Sequence, residues 1–120
     1  MKIGTDIVQI DRIRHSIDRF GDKFLHRFLN EHEINLTHKI ESYAGYWAAK
    51  EAISKALGCG IGKELSFHDI QIHKTPKGVP YFKLSEKAQT HFKIVSSSLS
   101  ISHDGGFAIS VVAITQKDNI

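Results

Sequence analysis

The chain has 120 residues, 41% of them hydrophobic and 24% charged, with a formal net charge of +3. That composition is globular, and the length suits one domain spanning residues 1–120, with a core small enough that association with further copies would help to stabilise it. A disulfide-stapled fold is excluded because Cys59 is the lone cysteine, and a membrane-spanning chain because no apolar run approaches the roughly 18 residues required; with no secretory cleavage pattern near Met1, the expected compartment is the cytoplasm.

Residues 2–10 read as a strand with apolar residues at both parities, Ile3 and Ile7 on one and Val8 and Ile10 on the other, the pattern of a strand buried on both faces. Asp6 interrupts it. Asp11 suits the cap of a short helix carrying Ile13, Ile17 and Phe20 at core spacing, and Gly21 breaks that helix. Phe24, Leu25, Phe28 and Leu29 form a second apolar helical stripe, and residues 30–39 are polar enough for a short helix and a loop. All four arginines, Arg12, Arg14, Arg19 and Arg27, fall in this early segment, whereas lysines are spread along the chain.

Residues 44–57 are the strongest helix former, rich in alanine, and Gly58 ends the run with Gly60 and Gly62 prolonging the break. Within it Trp47, Glu51 and Lys55 follow at i, i+4 and i+8, with Ala44, Ala48 and Ala52 alongside. Glu51 and Lys55 are then either an exposed i, i+4 pair or a pair of charges on an apolar face that must be partnered, for instance by a metal.

Beyond the glycines, Phe67, Ile70 and Ile72 suggest a strand, residues 75–78 a turn, and residues 79–84 the second strand of a hairpin. Ser85 suits the cap of a short helix over residues 86–92, and strands over 98–102 and 107–115 flank a turn at His103, Asp104, Gly105 and Gly106. Helices early and hairpins late, without alternating crossover units, predict an α+β fold: a mainly antiparallel sheet packed against a long central helix.

Two motifs fail on inspection. The run Gly58-Cys59-Gly60-Ile61-Gly62-Lys63 resembles a phosphate loop, but Glu64 follows the lysine where Ser or Thr is required, and these glycines close a helix where a dinucleotide fingerprint opens one. Eight histidines show no zinc spacing with the lone cysteine.

Three blocks remain: Gly4-Thr5-Asp6-Ile7-Val8-Gln9-Ile10-Asp11-Arg12-Ile13, Trp47-Ala48-Ala49-Lys50-Glu51-Ala52-Ile53-Ser54-Lys55, and Ser100-Ile101-Ser102-His103. In this order, over nearly the whole chain, they resemble the holo-[acyl carrier protein] synthases, the small class of phosphopantetheinyl transferases. Tyr46 is a departure, standing where relatives often carry an arginine.

The resemblance implies transfer of the phosphopantetheine arm of coenzyme A to a serine of an acyl carrier protein, releasing adenosine bisphosphate, in support of fatty acid biosynthesis. It implies Mg²⁺ held by Asp6 and Glu51, which suits a hard cation that keeps water and phosphate oxygens as its remaining ligands. Asp6, Glu51 and Lys55 are the implied catalytic residues, with Lys55 toward the diphosphate or the leaving group. Lys39, Lys55, Gly58, Gly60, Pro80, Ser102 and His103 are the implied coenzyme A contacts. Arg12, Arg14, Arg19 and Arg27 would dock an acidic carrier protein, and the assembly implied is a homotrimer with active sites between subunits. No nucleic acid and no membrane are expected as partners. The competing interpretation is a non-catalytic basic module that grips RNA or an acidic protein; it leaves Asp6 and Glu51 in apolar settings without a purpose.

Overall fold

Helix α4 (Ile40–Ala56) crosses a three-stranded antiparallel sheet so closely that one position tolerates no side chain. A Cβ on Gly4 would lie 2.0 Å from the carbonyl oxygen of Ala52 and 2.9 Å from the Ala56 Cβ. The stripe Ala44, Ala48, Ala52 and Ala56, buried throughout, presents only methyl groups to the strands. At the other end of the same helix Gly45 packs against Ile101. The helix therefore runs diagonally, its C-terminal half over the first strand and its N-terminal half over the fourth. Gly4→Ala should destabilise the fold by about 1–3 kcal/mol through overpacking. Chemical denaturation would show it as a lowered midpoint at unchanged slope, and an unshifted midpoint would mean that the helix gives way easily.

The computed structural model describes residues 1–117. Around α4, in chain order, stand β1 (Lys2–Gln9), α1 (Ile10–Phe20), α2 (Asp22–Phe28), α3 (Glu31–Asn35), a one-turn 3₁₀ helix (Phe67–Asp69), β2 (Ile70–Lys74), β3 (Pro80–Leu84), α5 (Glu86–Phe92), β4 (Ile94–Asp104) and β5 (Phe107–Gln116). The main sheet has order β1-β5-β4, and β2 pairs with β3 in a separate hairpin. Both sheets are antiparallel, so the expected α+β architecture with a central helix holds. Among the described residues no helix is long and apolar enough to cross a membrane.

The side of α4 away from the sheet is closed by α2, α3 and the β2–β3 hairpin around a buried ion pair. Lys50 and Glu33 are both fully buried. The ammonium of Lys50 donates to the Phe28 carbonyl at 2.7 Å, to Glu33 Oε1 at 3.0 Å and to the Phe67 carbonyl at 3.0 Å, using all three of its donors. Glu33 completes a capping box with Asn30 at the start of α3 and accepts from the Ile72 amide at 2.7 Å through its second oxygen. Burial lowers the proton affinity of Lys50, and the Glu33 carboxylate opposes that. One ammonium thus ties three elements, α2, α3 and the 3₁₀ helix, to the central helix, and Glu33 joins β2 to them.

Several expectations need correction. β1 is not buried on both faces: Ile3 and Ile7 are each 60% exposed, because α4 covers one face of the sheet only. Asp11 is not the cap of α1, which begins one residue earlier behind Gln9; Asp11 sits in the first turn and pairs with Arg14. Phe20 ends α1 with its ring half exposed, beyond the reach of the core. Phe67 lies in the 3₁₀ turn, where Asp69 accepts from the Ser66 amide at 2.9 Å and so diverts the backbone until Ile70. Ser85 caps α5 as expected, accepting from the Ala88 amide at 3.3 Å.

Candidate active site

Strand alternation in β1 turns Gly4, Asp6 and Val8 toward α4. Trp47, Glu51 and Lys55 each precede an alanine of the buried stripe, so they lie about 100° round the helix, at its flank. The close approach allowed by Gly4 brings that flank against β1. Lys55 Nζ donates to Asp6 Oδ1 at 2.8 Å and to the Thr5 carbonyl at 3.2 Å. The Asp6 side chain is only 14% exposed. Glu51 is half-buried beside it, and its proton affinity is raised, first by burial and next by the charge of Asp6, while Lys55 and Arg12 pull it back. The structure thus brings together the three residues expected to carry the chemistry, with Arg12 at the margin.

The donor set fits a magnesium ion. Two carboxylates, with the charge of Asp6 felt at Glu51, and a backbone carbonyl beside them offer hard oxygen ligands. Among the described residues no cluster of three or more His, Cys, Asp and Glu could hold a metal, so water and phosphate oxygens would have to complete the shell.

On the other flank of α4 a cavity of about 200 Å³ is lined by Glu41, Ser42, Tyr46, Lys74, Gly78, Pro80, Ile101 and His103. Pro80 and His103 meet there, and Lys39 stands two residues ahead of Glu41 as the N-cap of α4. Tyr46 is almost wholly buried, and its hydroxyl has no protein partner among the described residues. Burial, chiefly, pushes its phenol up to about 12, so it serves as a neutral donor. The Lys74 ammonium lies 5.8 Å from the Tyr46 ring centroid. Sequence reasoning missed Lys74, Glu41 and Ser42, since only the fold draws them to Pro80 and His103. Ser102, one residue before His103, is exposed on the opposite face of the sheet.

Gly58 and Gly60 follow α4 at positive φ, 81° and 68°. Their amides are engaged in closing the helix, on Lys55 O at 3.0 Å and Ser54 O at 3.2 Å. What they offer a ligand is space, with nothing within 4 Å of where a Cβ would stand.

The four arginines do not share one face. Arg12 projects its charge toward Glu51. Arg14, paired with Asp11, lines a cavity of about 430 Å³ together with Glu41, His103 and the Gly105–Gly106 turn. The Arg19 guanidinium lies over the Phe20 ring at 5.2 Å. Arg27 borders an apolar hollow formed with Phe20, Lys23 and Phe24.

The family model for the 4'-phosphopantetheinyl transferase superfamily matches residues 2–112. The chain belongs to that superfamily. It is 61% identical over 114 residues to the holo-[acyl-carrier-protein] synthase of Sulfurovum sp., covering 95% of this chain and 96% of the relative. The synthase of Nautilia profundicola is 57% identical over 112 residues, covering 93% and 97%. Among solved structures, the Helicobacter pylori holo-[acyl-carrier-protein] synthase in complex with coenzyme A superposes with a TM-score of 0.91 at 55% identity, covering 94% of this chain and 99% of that one. A holo-(acyl-carrier-protein) synthase from Bacillus anthracis, in complex with CoA (3',5'-ADP), gives 0.81 at 38% identity, with 97% and 96% covered. The Asp6–Glu51–Lys55 cluster lies within the residues that the family model matches.

Proposed function

We propose that this protein transfers the phosphopantetheine arm of coenzyme A to a serine of an apo acyl carrier protein, as a holo-[acyl-carrier-protein] synthase. The observation that carries this is the convergence of Asp6, Glu51 and Lys55 where α4 meets β1, in a chain of this superfamily. Asp6 and Glu51 would hold Mg²⁺, which neutralises charge on the diphosphate. Glu51, whose carboxylate holds a proton more readily than usual, takes the proton of the attacking serine. The serine oxygen bonds to the phosphorus next to the pantetheine arm, the bond to adenosine bisphosphate breaks, and Lys55 compensates charge on the departing phosphate. The deciding experiment is mass spectrometry of an apo carrier protein incubated with this protein, coenzyme A and Mg²⁺. Gain of the phosphopantetheine mass supports the function; an unmodified carrier protein overturns it.

Coenzyme A would touch both flanks of α4, Lys55 with Gly58 and Gly60 on one and Pro80 with His103 on the other. An assembly that sets one flank of a copy against the other flank of its neighbour would complete the site. The sheet face away from α4 suits that assembly: Ile3, Ile7, Phe107, Ile109 and Val111 form a continuous exposed apolar surface. We infer a homotrimer built on this face, with residues 1–120 acting as one cytoplasmic domain. Val111→Glu should shift the mass in solution from trimer to monomer and remove activity. A wild-type monomer with full activity at the same concentration would refute the assembly.

The early arginines would receive an acidic carrier protein from more than one side, Arg19 and Arg27 beside Phe20 and Phe24, and Arg14 beside the Gly105–Gly106 turn. Exposed pairs contribute about 0.2–1 kcal/mol each, so Arg14→Glu should raise the KM for carrier protein roughly twofold to fivefold, and Arg14→Glu with Arg19→Glu by more than about tenfold. The KM for coenzyme A should stay within error, and added salt should weaken the wild type in the same direction. An unchanged carrier-protein KM in the double variant would remove the docking role.

A further inference from the structure

Lys55 is half exposed, with a long and flexible side chain, yet it does not extend into solvent. Its ammonium takes Asp6 Oδ1 and the Thr5 carbonyl, the same hard oxygens that a divalent cation would seek. Asp6 and Glu51 against Lys55 and Arg12 make a formally neutral group of four charges, with the Lys55 ammonium 2.8 Å from Asp6 Oδ1 at its centre. A divalent cation cannot join that group cheaply while the ammonium keeps its place, because two cations would then share one carboxylate. Building on the proposed function, we infer that Lys55 is a displaceable counter-ion: the metal and Lys55 compete for Asp6, and the diphosphate of the donor substrate tips the competition by giving the ammonium a new anionic partner. Metal binding is therefore weak in the free protein and tightens once coenzyme A is present. Part of that tightening comes from the release of Lys55, in addition to direct contact between metal and phosphate. Linkage makes the effect mutual, so the metal also strengthens coenzyme A binding through the same side chain.

The test is a titration of Mn²⁺, followed by electron paramagnetic resonance, into wild type, Lys55→Met and Lys55→Arg, each with and without coenzyme A. Circular dichroism checks that every variant is folded. Without coenzyme A, Lys55→Met should bind Mn²⁺ roughly threefold to tenfold more tightly than wild type, whereas Lys55→Arg, which keeps the charge, should stay near wild type. The tightening caused by coenzyme A should shrink in Lys55→Met. Adding Asp6→Asn to both proteins should erase the difference between Lys55→Met and wild type. Unchanged or weaker Mn²⁺ affinity in folded Lys55→Met would overturn the inference, as would a gain that survives Asp6→Asn. Those outcomes leave the transferase assignment standing so long as wild type modifies a carrier protein only with metal. Wild-type transfer that persists in chelator would instead remove the metal site itself.

Discussion

Asp6→Asn and Glu51→Gln should each yield a folded protein that has lost transfer by roughly 10²–10³-fold in kcat or more. Each change removes one of two carboxylates from a site where, among the described residues, no third acid stands by to replace it. The two variants should separate in stability. Glu51 has a folded-state proton affinity above the ordinary one, set first by burial and then by Asp6. For such a group the favourable contribution is complete below the ordinary carboxylate range and is lost as pH rises through the folded-state value. At neutral pH the Glu51 carboxylate is consequently a burden on the fold. Glu51→Gln should melt above wild type at pH 7, and the gap should close as pH falls toward about 4, the ordinary glutamate range. Asp6→Asn removes the partner of Lys55 along with its repulsion of Glu51, so it should show a smaller shift. Thermal unfolding across this pH range, alongside the mass assay, reads both effects. A Glu51→Gln protein that turns over normally would dismiss the metal site. One that melts below wild type at neutral pH would dismiss the electrostatic account of Glu51.

Lys50→Met should lower stability by about 3–5 kcal/mol, the cost of leaving a buried charge without its partner. Glu33 would keep its bonds from the Asn30 and Ile72 amides and lose the ammonium, while the carbonyls of Phe28 and Phe67 would lose a donor. Lys50→Arg should not restore the wild type, because a planar guanidinium brings five donors to a site that satisfies three. Combining Lys50→Met with Glu33→Gln should cost less than the sum of the two, since the second change removes the orphaned charge that the first creates. Denaturant unfolding at one fixed protein concentration gives the values, the concentration being held because assembly contributes to stability. A loss below about 1 kcal/mol for Lys50→Met would mean that water reaches Glu33 in the variant.

By itself the sequence determined the central helix, its glycine stop, both hairpins and the mixed architecture, because each follows from a local rule: alanine content, positive-φ glycine, period-two alternation, turn chemistry. The residues proposed to carry the chemistry, Asp6, Glu51 and Lys55, were marked by the family resemblance of their blocks, because local spacing alone left Glu51 and Lys55 either an exposed pair or a partnered one. Only the tertiary structure decided that they do meet, and by what means. Gly4 removes the side chain that would hold α4 away from β1, a fact of packing that one glycine in a strand does not announce. Lys50, read locally, is a good helix former, and Glu33 is one acid of a polar segment; their burial against each other turns Lys50 into the tie between α4 and the elements on its side away from the sheet. The apolar parity of Ile3 and Ile7 was correct as a pattern, but a three-stranded sheet with one covering layer leaves that face open. A pattern records that a surface must be covered, and the topology decides whether the same chain can cover it.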